Sequence, residues 1–171
     1  NDTFIFYGLV HGEIAGAPKV KEVLEDIETL NGMAMGGKLD MTKISFHALA
    51  QLRDQYCLLH SGGALGRGCG PLVVGREGIE PGQLKDGKVA IPGKLTTAAL
   101  LLRLFDAGIE DLVVLPFHQI MGAVQQGEVD AGVIIHEGQV TYEQEGFFPV
   151  VDLGQWWAQS QNGLPLPLGG N

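Results

Sequence analysis

The run VAIPGKLTTAALLLRLF, residues 89–105, decides how this chain is read. Val89-Ala90-Ile91 is a short apolar stretch that stops at Pro92-Gly93. Lys94 and the pair Thr96-Thr97 follow, and then a dense apolar segment begins. This order spells a strand, a tight turn and a helix with hydroxyl residues at its start. The first N–H groups of a helix lack intrahelical partners and lie at its positive end. Such a junction is therefore a natural seat for a carboxylate or phosphate. Thr96 and Thr97, with Lys94, can hold an anion through hydroxyls and helix-start amides, and ordinary N-capping explains the threonines equally well.

Working outward, the next well-marked strand is Ala131 to Ile135, and it ends at His136-Glu137. The spacing predicts strand 88–91, helix 96–107, strand 112–116, helix 118–126, strand 131–135, strand 147–151 and helix 154–160. Strands and helices alternating in this way imply an α/β architecture with a largely parallel sheet. Upstream, Asn1-Asp2-Thr3 offers capping side chains for a helix from Thr3 to Val10, with a short strand as the alternative for so aromatic a run. Val20, Val23, Leu24, Ile27 and Leu30 follow helical spacing between Pro18 and Asn31-Gly32, which predicts a second helix there. Leu39 to Ile44 reads as a strand, Ser45 as the cap of a helix from Phe46 to Asp54, and Tyr56 to Leu59 as a brief buried strand. The glycine-rich segment SGGALGRGCGP, 61–71, reads as a hinge or binding loop and not as a regular element, with a strand resuming over Pro71 to Val74.

A lobe boundary is expected near residue 68 and a return crossing near Gly163 to Leu168. Residues 1–68 are then part of a first α/β lobe, 69–163 a second, and 164–171 the crossover back to the first.

Composition excludes several classes. With 45% hydrophobic and 18% charged residues the 171-residue chain is globular, not disordered. Charged residues, glycines and prolines interrupt every apolar run before membrane-spanning length. A net charge of −9 without basic runs argues against a nucleic-acid partner, and no membrane partner is expected either. Cys57 and Cys69 are the two cysteines. One bridge is possible, but reduced, buried thiols and an intracellular, cytoplasmic setting are the expectation. The strand-like ending at Leu164–Leu168 and the non-initiator Asn1 read as a piece of a longer protein.

His136 stands where an apolar strand ends, the edge at which open α/β sheets bind ligands. A histidine there can act as a base near neutral pH, with Glu137 orienting it or simply solvated. A hydrogen-bonded structural histidine is the competing reading, and only the neighbouring anion seat makes catalysis competitive. Lys43 and Ser45, on either side of Ile44, share one face if extended and can hold a carboxylate or hydroxyl. A solvated lysine beside an N-cap serine accounts for them as well. The glycine-rich loop lacks both G-x-x-x-x-G-K-[ST] and G-x-G-x-x-G. His11, His47, His60 and His118 are scattered, so no metal is expected. Trp156-Trp157 is assigned to helix packing ahead of covering a substrate ring.

Six blocks carry a resemblance: NDTFIFY at 1–7, LDMTKIS at 39–45, SGGALGRGCGPLVV at 61–74, IPGKLTTAALLLRLF at 91–105, DAGVIIHEG at 130–138 and GLPLPLGGN at 163–171. In this order they resemble the 1,4-dihydroxy-6-naphthoate synthases, lyases of the futalosine route to menaquinone that cleave cyclic dehypoxanthine futalosine. The resemblance implies a two-lobed fold of the type II periplasmic-binding-protein kind, shortened at both ends. It implies a small-molecule substrate with an aromatic carboxylate, no cofactor, and a proton acceptor at His136. Substrate contacts would fall on Lys43-Ile44-Ser45 and on Thr96-Thr97 with the amide of Ala98. His118 departs from the acidic residue often found there, which argues against catalysis at that position. Two other readings share the composition: a solute-binding protein for a small carboxylate, and chorismate dehydratase of the same pathway, which fits the IHEG and SGGALGRGCG blocks less well.

Overall fold

A computed structural model describes residues 2–171. Its elements in order are α1 (Asp2–Val10), α2 (Ile27–Met35), β1 (Ile44–Ser45), α3 (Phe46–Leu52), β2 (Ala64–Gly66), β3 (Leu72–Gly75) and β4 (Val89–Ile91). There follow α4 (Thr97–Phe105), β5 (Leu112–Val114), α5 (Ile120–Gln126), β6 (Ala131–Ile134), α6 (Gly138–Thr141), β7 (Phe148–Asp152), α7 (Leu153–Ser160) and β8 (Leu166–Gly170). Short 3-10 turns precede β4 at Pro81–Asp86 and α5 at Phe117–Gln119.

Five strands form one sheet in the order β5-β4-β6-β3-β7. Its residues alternate between two helical layers, as a pleated strand requires. Val89, Ile91, Val73, Ala131 and Val133 pack with Ala98, Ala99, Leu101 and Leu102 of α4, together with Leu153 of α7. The intervening Ala90, Leu72, Val74 and Ile134 pack on the other face with Ile120, Ala123 and Val124 of α5. Cover on both faces explains why these strands read as continuous apolar runs. Trp156 packs edge-on against Phe105, with ring centroids 5.7 Å apart, and the Trp157 indole donates to Leu164 O. The tryptophan pair serves packing.

The sheet is less parallel than the alternation implies. β4 runs parallel to β5 and β6, but β3 is antiparallel to both β6 and β7. β3 is reached from the other sheet along a short connection, without a crossover helix, so nothing obliges it to run with β4. At that connection Gly70 and the start of α7 meet backbone to backbone: a Cβ on Gly154 would lie 2.5 Å from Gly70 N.

A smaller antiparallel sheet, β1-β8-β2, takes strands from both ends of the described chain. Ala34, Ile44, Ala48 and Leu52 make its buried cluster, with Leu49, Tyr56 and Leu95 packed against it.

Four local expectations fail, all before residue 70. The periodic stretch 18–26 is irregular, and α2 starts only at Ile27 and runs through Asn31-Gly32 to Met35. The cause is Asp26, which caps the helix by accepting from Glu28 N and Thr29 N, while Leu24 is left 80% exposed with no face to cover. The strand from Leu39 shrinks to Ile44–Ser45, because only these residues reach a partner, Gly170 and Gly169 of β8. Tyr56 to Leu59 is extended but unpaired as a strand, tied by Leu59 N to Asn171 O at 2.8 Å. Within the glycine-rich segment Ala64–Gly66 does form a strand, because β8 offers it an antiparallel edge. The two cysteines are free but exposed, not buried. The helix expected over 3–10 is present, and the capping residue Asn1 lies outside the described residues. Among the described residues no helix is long and apolar enough to cross a membrane.

Candidate active site

β4 and β6 are adjacent and parallel, so the turns that leave them open on the same edge of the sheet. The turn after β4 carries Gly93, Lys94, Leu95 and Thr96, and the turn after β6 carries His136. β5, parallel to β4, ends on that edge too and leads to Phe117. Position on this rim is thus a consequence of strand direction.

At the head of α4 Thr96 is the N-cap: its hydroxyl donates to Gly93 O at 2.8 Å and accepts from Ala99 N at 3.2 Å. The Thr97 hydroxyl donates to Leu168 O at 2.7 Å, reaching β8 of the smaller sheet. Both threonines and Ala98 are buried. The two hydroxyl protons are therefore engaged within the protein. The donors left to an incoming anion are the amides of Thr97 and Ala98 at the positive end of a nine-residue helix.

Lys43, Ile44 and Ser45 lead into and form β1. The Lys43 ammonium donates to Gly62 O at 3.2 Å. Ile44 is a core residue of the smaller unit. Ser45 is buried, and its side chain makes no capping bond to α3; instead its hydroxyl accepts from Asn31 Nδ2 at 3.1 Å. Ser45 N donates in turn to Asn31 Oδ1 at 3.0 Å. With its lone pair engaged, the Ser45 hydroxyl keeps its proton for another acceptor.

His136 has φ = +60°, one of two non-glycine residues with positive φ in the chain's described part. A left-handed conformation is costly for a side-chain-bearing residue and collects where a function holds it. Its imidazole packs edge-to-face with Phe117 at 5.5 Å. Among the described residues no hydrogen bond engages the His136 ring, and none joins it to Thr96, Thr97 or the 43–45 segment. The ring is held by packing, with its nitrogens not committed to a structural bond.

Three further residues enter here that the sequence did not mark. Asn31, which reads as a helix terminator, is fully buried inside α2 and links Ser45 to Glu28. Glu28 accepts from Leu95 N through both carboxylate oxygens at 3.3 Å. His47 of α3 shares its Nδ1 with Thr96 O at 3.1 Å; a carbonyl partner fixes the proton on that nitrogen. Asn31 carried one signal, a polar residue three positions after an acidic one on a helix. The contacts of Glu28 and His47 with the turn are long-range and leave no local trace. Among the described residues no cluster of three metal-ligating side chains occurs.

Two sheets joined by short crossovers, with strand-end turns of one facing the other, define a two-lobed α/β fold of the solute-binding type. The alkanesulfonate-binding protein SsuA of Xanthomonas axonopodis pv. citri, bound to MOPS, shares this fold at TM-score 0.64 and 16% identity, covering 85% of this chain and 54% of that one. The periplasmic aliphatic sulphonate binding protein SsuA of Escherichia coli does so at TM-score 0.64 and 17% identity, over 96% and 58%. Within that class the chain belongs to the menaquinone biosynthesis family, which matches residues 1–171. It is 52% identical over 169 residues to the 1,4-dihydroxy-6-naphthoate synthase of Thermus thermophilus and 47% identical over 174 residues to that of Streptomyces coelicolor. Each alignment covers 99% of this chain, which spans 61% of the length of these relatives. The crystal structure of protein AF1704 from Archaeoglobus fulgidus matches at TM-score 0.87 and 45% identity, over 99% of this chain and 62% of that one.

Proposed function

We propose that this chain carries the site of a 1,4-dihydroxy-6-naphthoate synthase, a carbon–carbon lyase acting on cyclic dehypoxanthine futalosine. One observation carries the reading: the parallel pairing of β4 and β6 sets an imidazole with uncommitted nitrogens and a helix start with unpaired amides on one sheet edge. In this reading residues 1–68 and 69–163 contribute to two lobes that close on the substrate, and 164–171 crosses back. The substrate's aromatic carboxylate is taken by the Thr97 and Ala98 amides, where helix dipole and N–H groups favour negative charge. The Ser45 hydroxyl and Lys43 ammonium face a second polar group of the same molecule. Neutral His136 removes a substrate proton, the fused carbon skeleton fragments in a retro-aldol-like step, and the aromatic naphthoate ring supplies driving force. The reading is of a cytoplasmic enzyme with a small-molecule partner.

The fold alone suits a solute-binding protein equally, and the two readings part at His136. His136→Asn in the full-length protein keeps bulk and one hydrogen-bonding group but no base. A general base is worth roughly 10²–10⁴-fold in rate. Turnover of cyclic dehypoxanthine futalosine should fall by such a factor, with substrate affinity held within several-fold. Near-normal turnover by the variant removes the base assignment, and binding without turnover by the wild type returns the chain to the solute-binding reading.

A further inference from the structure

The turn that opens the carboxylate seat is already gripped by a carboxylate of the protein. Glu28, in the first turn of α2, reaches across from the side of the smaller sheet and accepts the Leu95 amide with both oxygens at 3.3 Å. The side chain of Leu95 packs in the opposite sense, into the cluster of Ala34, Ile44, Ala48 and Leu52. Glu28 also lies across Gly93: a Cβ built there would come 2.2 Å from its carboxyl carbon. Glycine at 93 is thus the gap through which Glu28 reaches the turn. Behind it, Asn31 donates to Glu28 Oε2 at 3.4 Å and to the Ser45 hydroxyl at 3.1 Å. A continuous chain of contacts runs from Ser45 through Asn31 and Glu28 to Leu95, two residues before the seat. It connects the two segments assigned to substrate binding.

We infer that Glu28 is a positioning residue that braces the Gly93–Leu95 turn, fixing the helix-start amides of Thr97 and Ala98 against Ser45, and that Gly93 exists to admit it. This rests on the carboxylate seat proposed above. Glu28 acts through the turn and touches no reacting atom. Its charge fits the place: it lies in the first turn of α2, at the positive end of that helix, where an anion is stabilised. A carboxylate accepting from a partly buried amide also forms a charge-assisted bond, stronger than a neutral one.

The test is a double-mutant cycle in the full-length protein, reading KM and kcat with cyclic dehypoxanthine futalosine. Glu28→Ala should raise KM by about 10-fold, the scale of one lost charge-assisted hydrogen bond, and leave kcat within about threefold. Glu28→Gln retains a neutral acceptor for Leu95 N and should recover only part of that loss. Gly93→Ala should raise KM comparably in the wild-type background, because its methyl group meets Glu28. In the Glu28→Ala background the same substitution should cost less than about twofold, since the obstructed side chain is gone. Multiplicative effects of the two substitutions, or a fall in thermal stability with KM unmoved, would overturn the inference. A wild-type protein that does not turn over the substrate would instead overturn the reading on which it rests.

Discussion

Around the five-stranded sheet, secondary structure and burial reinforce one another; around the three-stranded sheet they do not. α4, Thr97–Phe105, places Ala98, Ala99, Leu101 and Leu102 against strands that are apolar on that same face. In the smaller unit four residues, Ala34, Ile44, Ala48 and Leu52, make up the buried cluster, and Phe4, Leu24 and Leu65 stand exposed. A helix of about 10 residues is marginal by itself and needs an apolar surface to lie on. Where the described residues supply one, helical spacing becomes a helix; over 18–26, in a chain that spans 61% of its curated relatives' length, they supply none and the same spacing stays irregular.

The contrast is sharpest in stability. Leu101 is almost wholly buried in the cluster between α4 and the large sheet. Leu101→Ala should therefore destabilise the fold by about 2–5 kcal/mol in denaturant unfolding. A loss under about 1 kcal/mol would mean that this layer is loosely packed and the comparison mistaken.

An intermediate effect is expected at the boundary of α2, where one carboxylate sets the start of a helix. Burial pushes the Asp26 pKa up, but hydrogen bonds from the Thr29 hydroxyl and from the Thr29 and Glu28 amides outweigh it, and the net shift is downward. A carboxyl group with a lowered folded-state pKa adds stability above its unfolded value, and that stability is lost as pH falls through the folded one. Asp26→Ala should cost about 0.5–2 kcal/mol near neutral pH, the range for losing a helix cap. Below the ordinary carboxylate range the wild type and the variant should converge. If the deficit persists unchanged at low pH, charge at Asp26 is not what starts the helix.

The smallest effect tests the irregular stretch itself. Leu24→Ala in the 171-residue chain should shift stability by no more than about 0.5 kcal/mol, as for surface changes generally. A cost of core magnitude would show that Leu24 is covered, and that the helical spacing over 20–30 describes a packed face after all.

These contrasts bear on what could be read in advance. The strand-turn-helix at 89–105, with Thr96 as cap, was legible because each signal is local: a run of three apolar residues, a Pro-Gly stop, and a hydroxyl one residue before the first helical turn. His136 was legible as a strand-end residue for the same reason. The start of α2 was less so, since Asp26 sits inside a periodic apolar pattern that points to an earlier start. Glu28, Asn31 and His47 were not legible as parts of the candidate site. Their partners, Leu95, Ser45 and Thr96, lie up to 67 residues away, and no spacing rule connects them.

By itself, the sequence determined where apolar runs begin and stop, and therefore most elements after residue 70. It also determined that Thr96, Thr97 and His136 stand at element ends. Tertiary structure alone decided the direction of β3, the pairing of β8 with both β1 and β2, and the reach of Glu28 to the turn after β4. The physical reason is range. Caps, turns and periodicity are settled by residues within one or two turns of each other, whereas strand partners and long-range hydrogen bonds depend on which distant surfaces the packed core brings together.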